Sequence, residues 1–388
     1  MRTEIGDLPT LRTHRDAGRD LRHTVLIGLD LTGPEDDALL RTALDGALLL
    51  GCRLTSRSRE RAEAAGALLF PDIPELPYQV YRARLYTPDE LFAGFDPAEP
   101  GSYAGTLDAS VYRYSRDQGA QPDPLHALAQ RLHDHSITAA LDDLLTRCAA
   151  AGRGGPVAVM GGHAMARGSA EYRDAVALGV ALGRSPARFT VLTGGGPGAM
   201  EAVPLGVRLR DADQSTVDSA LAKLGTVPTF GNGGTTVDPA AVGAWLAAAP
   251  TLPAGEADAD DLPRTIGIPT WFYGHEPPNP ACEAHAKYFA NSVREDGLLT
   301  VATGGVVYTP GSAGTVQEVF QDYSQNHYGS VGPAAPMVFL GKDFWVNEVP
   351  AAPLVQQLAR GRDAERWILV TDDIAEAVEL LEEYEAQR

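Results

Sequence analysis

Cysteine is scarce: Cys52, Cys148 and Cys282 are the only three in 388 residues, widely spaced and without a C-x-x-C pair. That excludes a disulfide framework and a zinc site, and leaves the three as buried small apolar side chains. Basic charge is short too, with 32 Lys plus Arg against 51 Asp plus Glu for a net charge of -19. A field of that sign repels nucleic acid and anionic membrane, so neither is expected as a partner. A small anion remains admissible, because a helix N-terminus and a few arginines act at short range where distant carboxylates are screened. Long apolar runs are missing: GALLLG and AVGAWLAAA are too short for a bilayer, and the first 25 residues alternate Arg with Asp and Glu instead of forming a signal-peptide core. A cytoplasmic protein is expected.

A 44% hydrophobic fraction over this length supplies enough apolar side chain for two cores. From about residue 157 short apolar runs alternate with helical patterns: PVAVMGG, FTVLTGGG, RTIGIPTWFYG, GVVYTPG, APMVFLG and RWILVT are each followed by a turn and, in most cases, an amphipathic stretch. That order predicts a doubly wound, Rossmann-like α/β domain with a parallel sheet covered on both faces. NPACEAHAKYFANSVRED is expected to be a helix, with His285, Lys287 and Arg294 able to share one face and Lys287 at the surface or steering phosphate. A Gly-, Pro- and Asp-rich excursion at about 211–264 is either a lid or a partly ordered insertion. Residues 1–150 repeat the pattern weakly as βαβαβ, from HTVLIGLDLTG to ALLFPDIP, and predict an additional N-terminal α/β domain used for assembly, regulation or plain support. The boundary is placed near 150, at AGRGGP, leaving 151–388 as the second domain. In LHDHSITAAL, Ser136 is expected to cap the following helix. His133 and His135 would then point apart, with no cysteine to complete a metal set.

Three strand ends are glycine-rich: MGGHAMARGS, TGGGPGAME and PGSAGTVQE. In an open α/β sheet such loops meet in a crevice outside the carboxyl ends of the strands. Small residues let main-chain N–H groups approach a phosphate, and the helix that follows adds its positive end. The candidate binding residues are therefore Gly161, Gly162 and His163 in the first loop, Gly194, Gly195, Gly196, Gly198 and Met200 in the second, and Gly311, Ser312, Ala313, Gly314 and Thr315 in the third. No lysine of Walker type follows and no loop spells G-x-G-x-x-G, which favours a monophosphate or sugar phosphate over a triphosphate or dinucleotide. Glu318, about one turn beyond Gly314, either caps its own helix or reaches a sugar attached to the anion. WFYGHEPPNP offers Trp271, Tyr273, His275 and Glu276 either as a base-stacking edge or as a packed strand end.

TGGGPGAMEA followed by TPGSAGTVQE resembles the two signature loops of the LONELY GUY (LOG) family, formerly described as lysine decarboxylases, whose patterns run G-G-G-x-x-G-x-M and P-G-G-x-G-T-x-x-E. The resemblance covers about half the chain. It implies a phosphoribohydrolase that cleaves a nucleoside 5′-monophosphate (AMP-like) to free base and ribose 5-phosphate, needs no metal or organic cofactor, and assembles as a homodimer or higher homo-oligomer. It also implies catalytic roles for Glu318 and for Arg294. Two departures stand out: the family pairs its arginine with lysine where this chain has Glu295, and Ser312 replaces a glycine, which a positive φ would disfavour. The extra domain and insertion resemble the larger nucleotide nucleosidases of the family. A different reading of the same fold is a non-catalytic nucleotide or cofactor carrier, as in molybdenum-cofactor carrier proteins, or a nucleotide sensor.

Overall fold

The computed structural model describes residues 3–73, 75–119, 121–231, 238–250, 262–271 and 277–388. The chain divides into two compact units, Met1–Leu85 with Asp117–Leu141, and Tyr86–Arg116 with Asp142–Arg388.

The first unit carries β1 (Glu4–Ile5), α1 (Leu8–Asp16), β2 (Val25–Ile27), β3 (Asp30–Leu31), α2 (Pro34–Leu39), β4 (Leu48–Leu50), β5 (Arg53–Leu54), α3 (Ser56–Ala64) and β6 (Leu68–Phe70). All pairings are parallel: one sheet has the order β1-β2-β4-β6, and β3 pairs separately with β5. Ile5, Leu11, Leu26 and Leu49 form its interior. The βαβαβ pattern is there, preceded by a strand and helix that the charged opening residues hid. Asp7 caps α1 by accepting from the Thr10 N–H at 2.7 Å, and Leu11 is the one residue of that helix fully buried, too sparse an apolar signal for periodicity.

α4 (Pro88–Leu91) belongs to the 86–116 segment of the second unit, and the segment limits at 116/117 and 141/142 fall within α5 (Leu107–Gln118) and α6 (Pro124–Ala150). α6 is a continuous 27-residue helix, so Ser136 is not a cap. Its hydroxyl donates to the Leu132 carbonyl at 3.0 Å, one turn back. His133 is buried edge-on against Tyr78 with ring centroids 5.3 Å apart, whereas His135 is exposed.

The second unit contains β7 (Val157–Met160), α7 (Ala170–Arg184), β8 (Val191–Thr193), α8 (Ala199–Arg208), α9 (Gln214–Leu224), α10 (Pro239–Ala247), β9 (Thr265–Gly267), β10 (Ala284–His285), α11 (Asn291–Val301), β11 (Gly305–Tyr308), α12 (Ala313–Tyr328), β12 (Met337–Leu340), α13 (Ala351–Ala359), β13 (Ile368–Thr371) and α14 (Ile374–Gln387). Its seven strands are all parallel in the order β10-β9-β8-β7-β11-β12-β13. The doubly wound α/β fold is therefore present. Val157, Val159, Val191, Val307 and Val338 are buried in one core with residues of α7, α8 and α14, as apolar strands covered on both faces require. The chain steps outward from β7 to β10, then returns to the other side of β7 at β11. That reversal is the topological switch point, where loops diverge.

A cut near residue 150 does not match the division, because 86–116 packs with the second unit. The Asp108 carboxylate and Lys287 ammonium form a buried ion pair at 2.6 Å, and Tyr103 joins Val242, Trp245 and Leu246 of α10 in an apolar cluster. Lys287 is thus a core residue, 3% exposed, and not a surface cation. The helix expected across NPACEAHAKYFANSVRED is another correction. His285 lies in β10, and α11 starts only at Asn291. Asn279 turns the chain there: its Oδ1 accepts from the Ala281 and Cys282 N–H groups at 3.1 and 3.0 Å, after which Ala284 and His285 pair with β9.

The 211–264 excursion is partly helical. α9 sinks Ala220, Leu221 and Leu224 into the main core, and α10 buries Val242 and Trp245. All three cysteines are free and buried.

Candidate functional site

Three loops leave the sheet at the switch point and are laced together by main-chain bonds. The Gly162 N–H donates to the Pro310 carbonyl at 3.1 Å, joining the loops after β7 and β11, and the Ala199 N–H donates to the Gly162 carbonyl at 3.3 Å, joining those after β7 and β8. Between them lies a cavity of about 300 Å³, at the small end of the roughly 300–1,000 Å³ usual for ligand pockets.

Of the residues singled out from the sequence, Gly161, Gly162, His163, Gly194, Met200, Ser312, Gly314, Thr315, Arg294 and Glu318 line this cavity. Gly195, Gly196, Gly198, Gly311 and Ala313 are not in its lining; the first three are buried behind it. Trp271 is also buried, 1% exposed, under the Lys287 ammonium at 4.1 Å from its ring centre, so the packed alternative holds for it. Tyr273, His275 and Glu276 lie outside the described residues.

The bareness of the second loop has a specific use. A Cβ on Gly194 would strike the Arg294 guanidinium, so glycine is what allows that arginine to lie across the loop. Gly198 caps α8 at φ +71°, in the left-handed region that L side chains avoid. Asn279 fixes the rest. Fully buried, it donates its N–H to the Gly195 carbonyl and its Nδ2 to the Gly196 and Met200 carbonyls, each at 2.9 Å. A lone Asn before a proline gives no such signal in the sequence.

Arg294 comes from the first turns of α11. Its Nε donates to the Ile268 carbonyl at 2.9 Å, beyond the end of β9, and its Nη1 meets Glu318 Oε1 on α12 at 3.3 Å. Both side chains are largely covered, 13% and 11% exposed. Glu318 lies past the first turn of α12 and is therefore not an N-terminal cap. The residue at the N-cap is Ser312, at φ -112°, an extended conformation without strain, so the concern over its replacing glycine falls away. Its side chain makes no capping bond, and the first-turn N–H groups of α12 are left at the cavity end, where Ser312, Gly314 and Thr315 form the wall.

Glu295, next to Arg294, also lines the cavity. It accepts from Asn291 Nδ2 at 2.6 Å and Gln317 Nε2 at 3.0 Å, tying α11 to α12. Among the described lining residues there are two carboxylates and one arginine, so attraction for an anion rests mainly on main-chain dipoles.

Sequence reasoning missed the strut beneath the site. Arg167, from the loop after β7, grips Glu201 of α8 through Nε at 2.8 Å and Nη2 at 2.5 Å, with both side chains almost fully buried. Tyr172 donates a further bond to Glu201 at 2.9 Å, and Arg167 Nη1 reaches the Trp245 carbonyl on α10 at 2.7 Å. Both ends lie within stretches quoted for their glycines, 34 residues apart, and only the fold brings them together.

Fold and site together define a doubly wound, parallel α/β unit with a glycine-loop crevice at its switch point. Among solved structures the chain is similar to the molybdenum cofactor binding protein from the phototrophic bacterium Rippkaea orientalis, at 14% identity and a TM-score of 0.36 over 60% of this chain and 98% of that one. It is also similar to TM1055, a structural-genomics target, at 20% identity and a TM-score of 0.35 over 59% and 99%. No protein-family model and no curated protein matches the chain.

Proposed function

We propose that the crevice hydrolyses the N-glycosidic bond of a nucleoside 5′-monophosphate, releasing the free base and ribose 5-phosphate. The observation that carries this reading is the Glu318–Arg294 pair at 3.3 Å in the wall of a cavity whose other wall is the uncapped start of α12. The phosphate binds at the α12 N-terminus, where the N–H groups of the first turn supply partial positive charge. The ribose then lies toward Glu318, about one turn along the same helix.

Breaking a ribosyl C–N bond develops positive charge on the sugar and negative charge on the base, through an oxocarbenium-like state. Glu318 offsets the first and accepts a proton from the attacking water, whose hydroxyl joins the sugar while the proton passes on to the departing base; Arg294 holds the carboxylate in place through one nitrogen while its ion pair stays in a partly water-excluded wall. Glu295 adds a second carboxylate, which favours a substrate presenting donor groups on that side.

The experiment is incubation with AMP, GMP, CMP and UMP and measurement of free base. Release of base from at least one nucleotide is expected, and Glu318→Gln is expected to lower kcat by about 10²- to 10⁴-fold while nucleotide binding persists. Tight binding with no base released from any of the four would replace the hydrolase by the nucleotide or cofactor carrier. Turnover equal to the parent in Glu318→Gln would remove this residue from the chemistry.

A further inference from the structure

One helical turn beyond Glu318 on α12, Asp322 points away from the cavity's chemistry into a second, smaller pocket of about 70 Å³. Asp322 is 5% exposed, and its one hydrogen bond comes from the Tyr308 hydroxyl to Oδ2 at 2.7 Å. Among the described residues the other carboxylate oxygen has no hydrogen-bond partner. Burial pushes this carboxyl up to about 7, and the Tyr308 bond offsets only part of that. Among the described residues no Lys or Arg pairs with it.

The rest of the lining is mixed: Leu299, Ala302, Val331, Pro333 and Ala335 give it apolar walls, and Asp322 is its one carboxylate among the described residues. Thr300 comes from the last turn of α11, Thr303 from the turn after it, Gln325 and Asn326 from α12, and Tyr384 from α14. Gln325 donates its Nε2 to Thr300 and Asp296 at 3.5 and 3.4 Å, which leaves its amide oxygen as an unused acceptor. The Asn326 amide is spent on both main-chain groups of Ala335, at 2.9 and 3.3 Å, and so holds the rim in shape. Arg388, the one cation at the pocket, donates to the Thr303 carbonyl at 3.4 Å and lies 3.9 Å from Glu385. The polar and titratable groups around Asp322 are thus the Tyr308 phenol of β11, Thr300 of α11 and Thr303 just after it, and Tyr384 and Arg388 of α14, with Asp296 of α11 held off by the Gln325 amide.

We propose that this pocket binds one small monovalent cation of the potassium, sodium or ammonium class, held by the ionised Asp322 carboxylate and the neutral oxygens around it. A single carboxylate among neutral oxygens suits one positive charge. Divalent ions ask for more carboxylates, and no group of three His, Cys, Asp or Glu side chains placed to hold a metal ion occurs among the described residues. Binding replaces the proton that Asp322 otherwise carries near neutral pH, so the ion enters as a proton leaves.

The test uses the full chain without nucleotide, and is therefore independent of the hydrolase reading. Melting temperatures are compared in potassium, sodium, ammonium and tetramethylammonium chloride at equal ionic strength, at pH 8 and pH 5.5. At pH 8 at least one of the small cations is expected to raise Tm over tetramethylammonium, which is too large for the pocket, by about 2 °C at ten times its dissociation constant. At pH 5.5 and in Asp322→Asn, which keeps an acceptor for Tyr308, the difference is expected to vanish. Proton release from the wild-type chain on adding the cation at pH 6.5 in weak buffer gives a second readout that needs no variant. Equal melting in all four salts with no proton released, or a response undiminished in Asp322→Asn, overturns the proposal.

Discussion

At the scale of single residues, the glycines of the crevice do two jobs that a motif cannot tell apart. Gly314 and Gly162 are part of the cavity wall, but the missing Cβ of Gly194 makes room for a protein group, the Arg294 guanidinium. Gly194→Ala is therefore expected to push Arg294 off Glu318 and to weaken nucleotide binding or base release at least about tenfold, equivalent to roughly 1.4 kcal/mol. Nucleotide titration together with the Arg294–Glu318 separation in a crystal structure of the variant checks this. An unmoved pair with unchanged binding would show that the loop absorbs the methyl group elsewhere. Glu318 is visible in the sequence because it follows a glycine loop, whereas Arg294 is named only through the family resemblance. The sequence hides Asn279 and Lys287, whose roles depend on partners that are remote in the chain, the Asn279-bound loop carbonyls and Asp108.

Among elements, alternation of apolar runs and glycine turns was enough to place β7, β8, β9, β11, β12 and β13 and the helices that follow most of them. It failed at β10 because Ala284 and His285 sit in an alanine-rich stretch with no β-branched residue, and a two-residue edge strand is set by its neighbour and by the Asn279 turn. It failed again at α6, where Ser136 looks like a cap but bonds back into a helix that began at Pro124. The elements around the crevice are braced by Arg167 and Glu201. Removing one member of a buried pair leaves an uncompensated charge, so Arg167→Met is expected to cost about 3–5 kcal/mol. Urea denaturation monitored by tryptophan fluorescence measures it, with Trp245 lying 4.0 Å from the lost guanidinium as an internal reporter. A loss well under about 1 kcal/mol would mean that Tyr172 alone satisfies Glu201.

For the molecule as a whole, buried titratable groups set how stability responds to pH. His285 is fully buried with neither ring nitrogen bonded, and burial, reinforced by the Lys287 charge, pulls it down to about 3. As pH falls from the ordinary value of 6.5 toward 3, the unfolded chain takes up this proton and the folded chain does not, so stability is lost through that window. Asp322 acts in the opposite sense: raised from 3.8 to about 7, it holds its proton in the folded state, and stability falls as pH rises between those values. Comparing His285→Leu with the parent isolates the first effect. The variant is expected to be more stable by about 1–3 kcal/mol at pH 7, the cost of an orphaned polar group, and to gain further on the parent as the solution is acidified. Denaturation midpoints at pH 7 and pH 4.5 decide the matter; a constant gap between them would mean that the imidazole finds water. The division of the chain into units was only partly legible. Glycines at 152, 154 and 155 look like a linker, yet Arg153 among them is anchored by the Leu262 and Pro263 carbonyls.

Asn279 bears on how any ligand would be received. Because one buried amide already dictates the curvature of the loop after β8, the receptor arrives shaped, and little conformational entropy has to be surrendered when a guest docks. Affinity there should be governed by how well the guest matches a rigid mould.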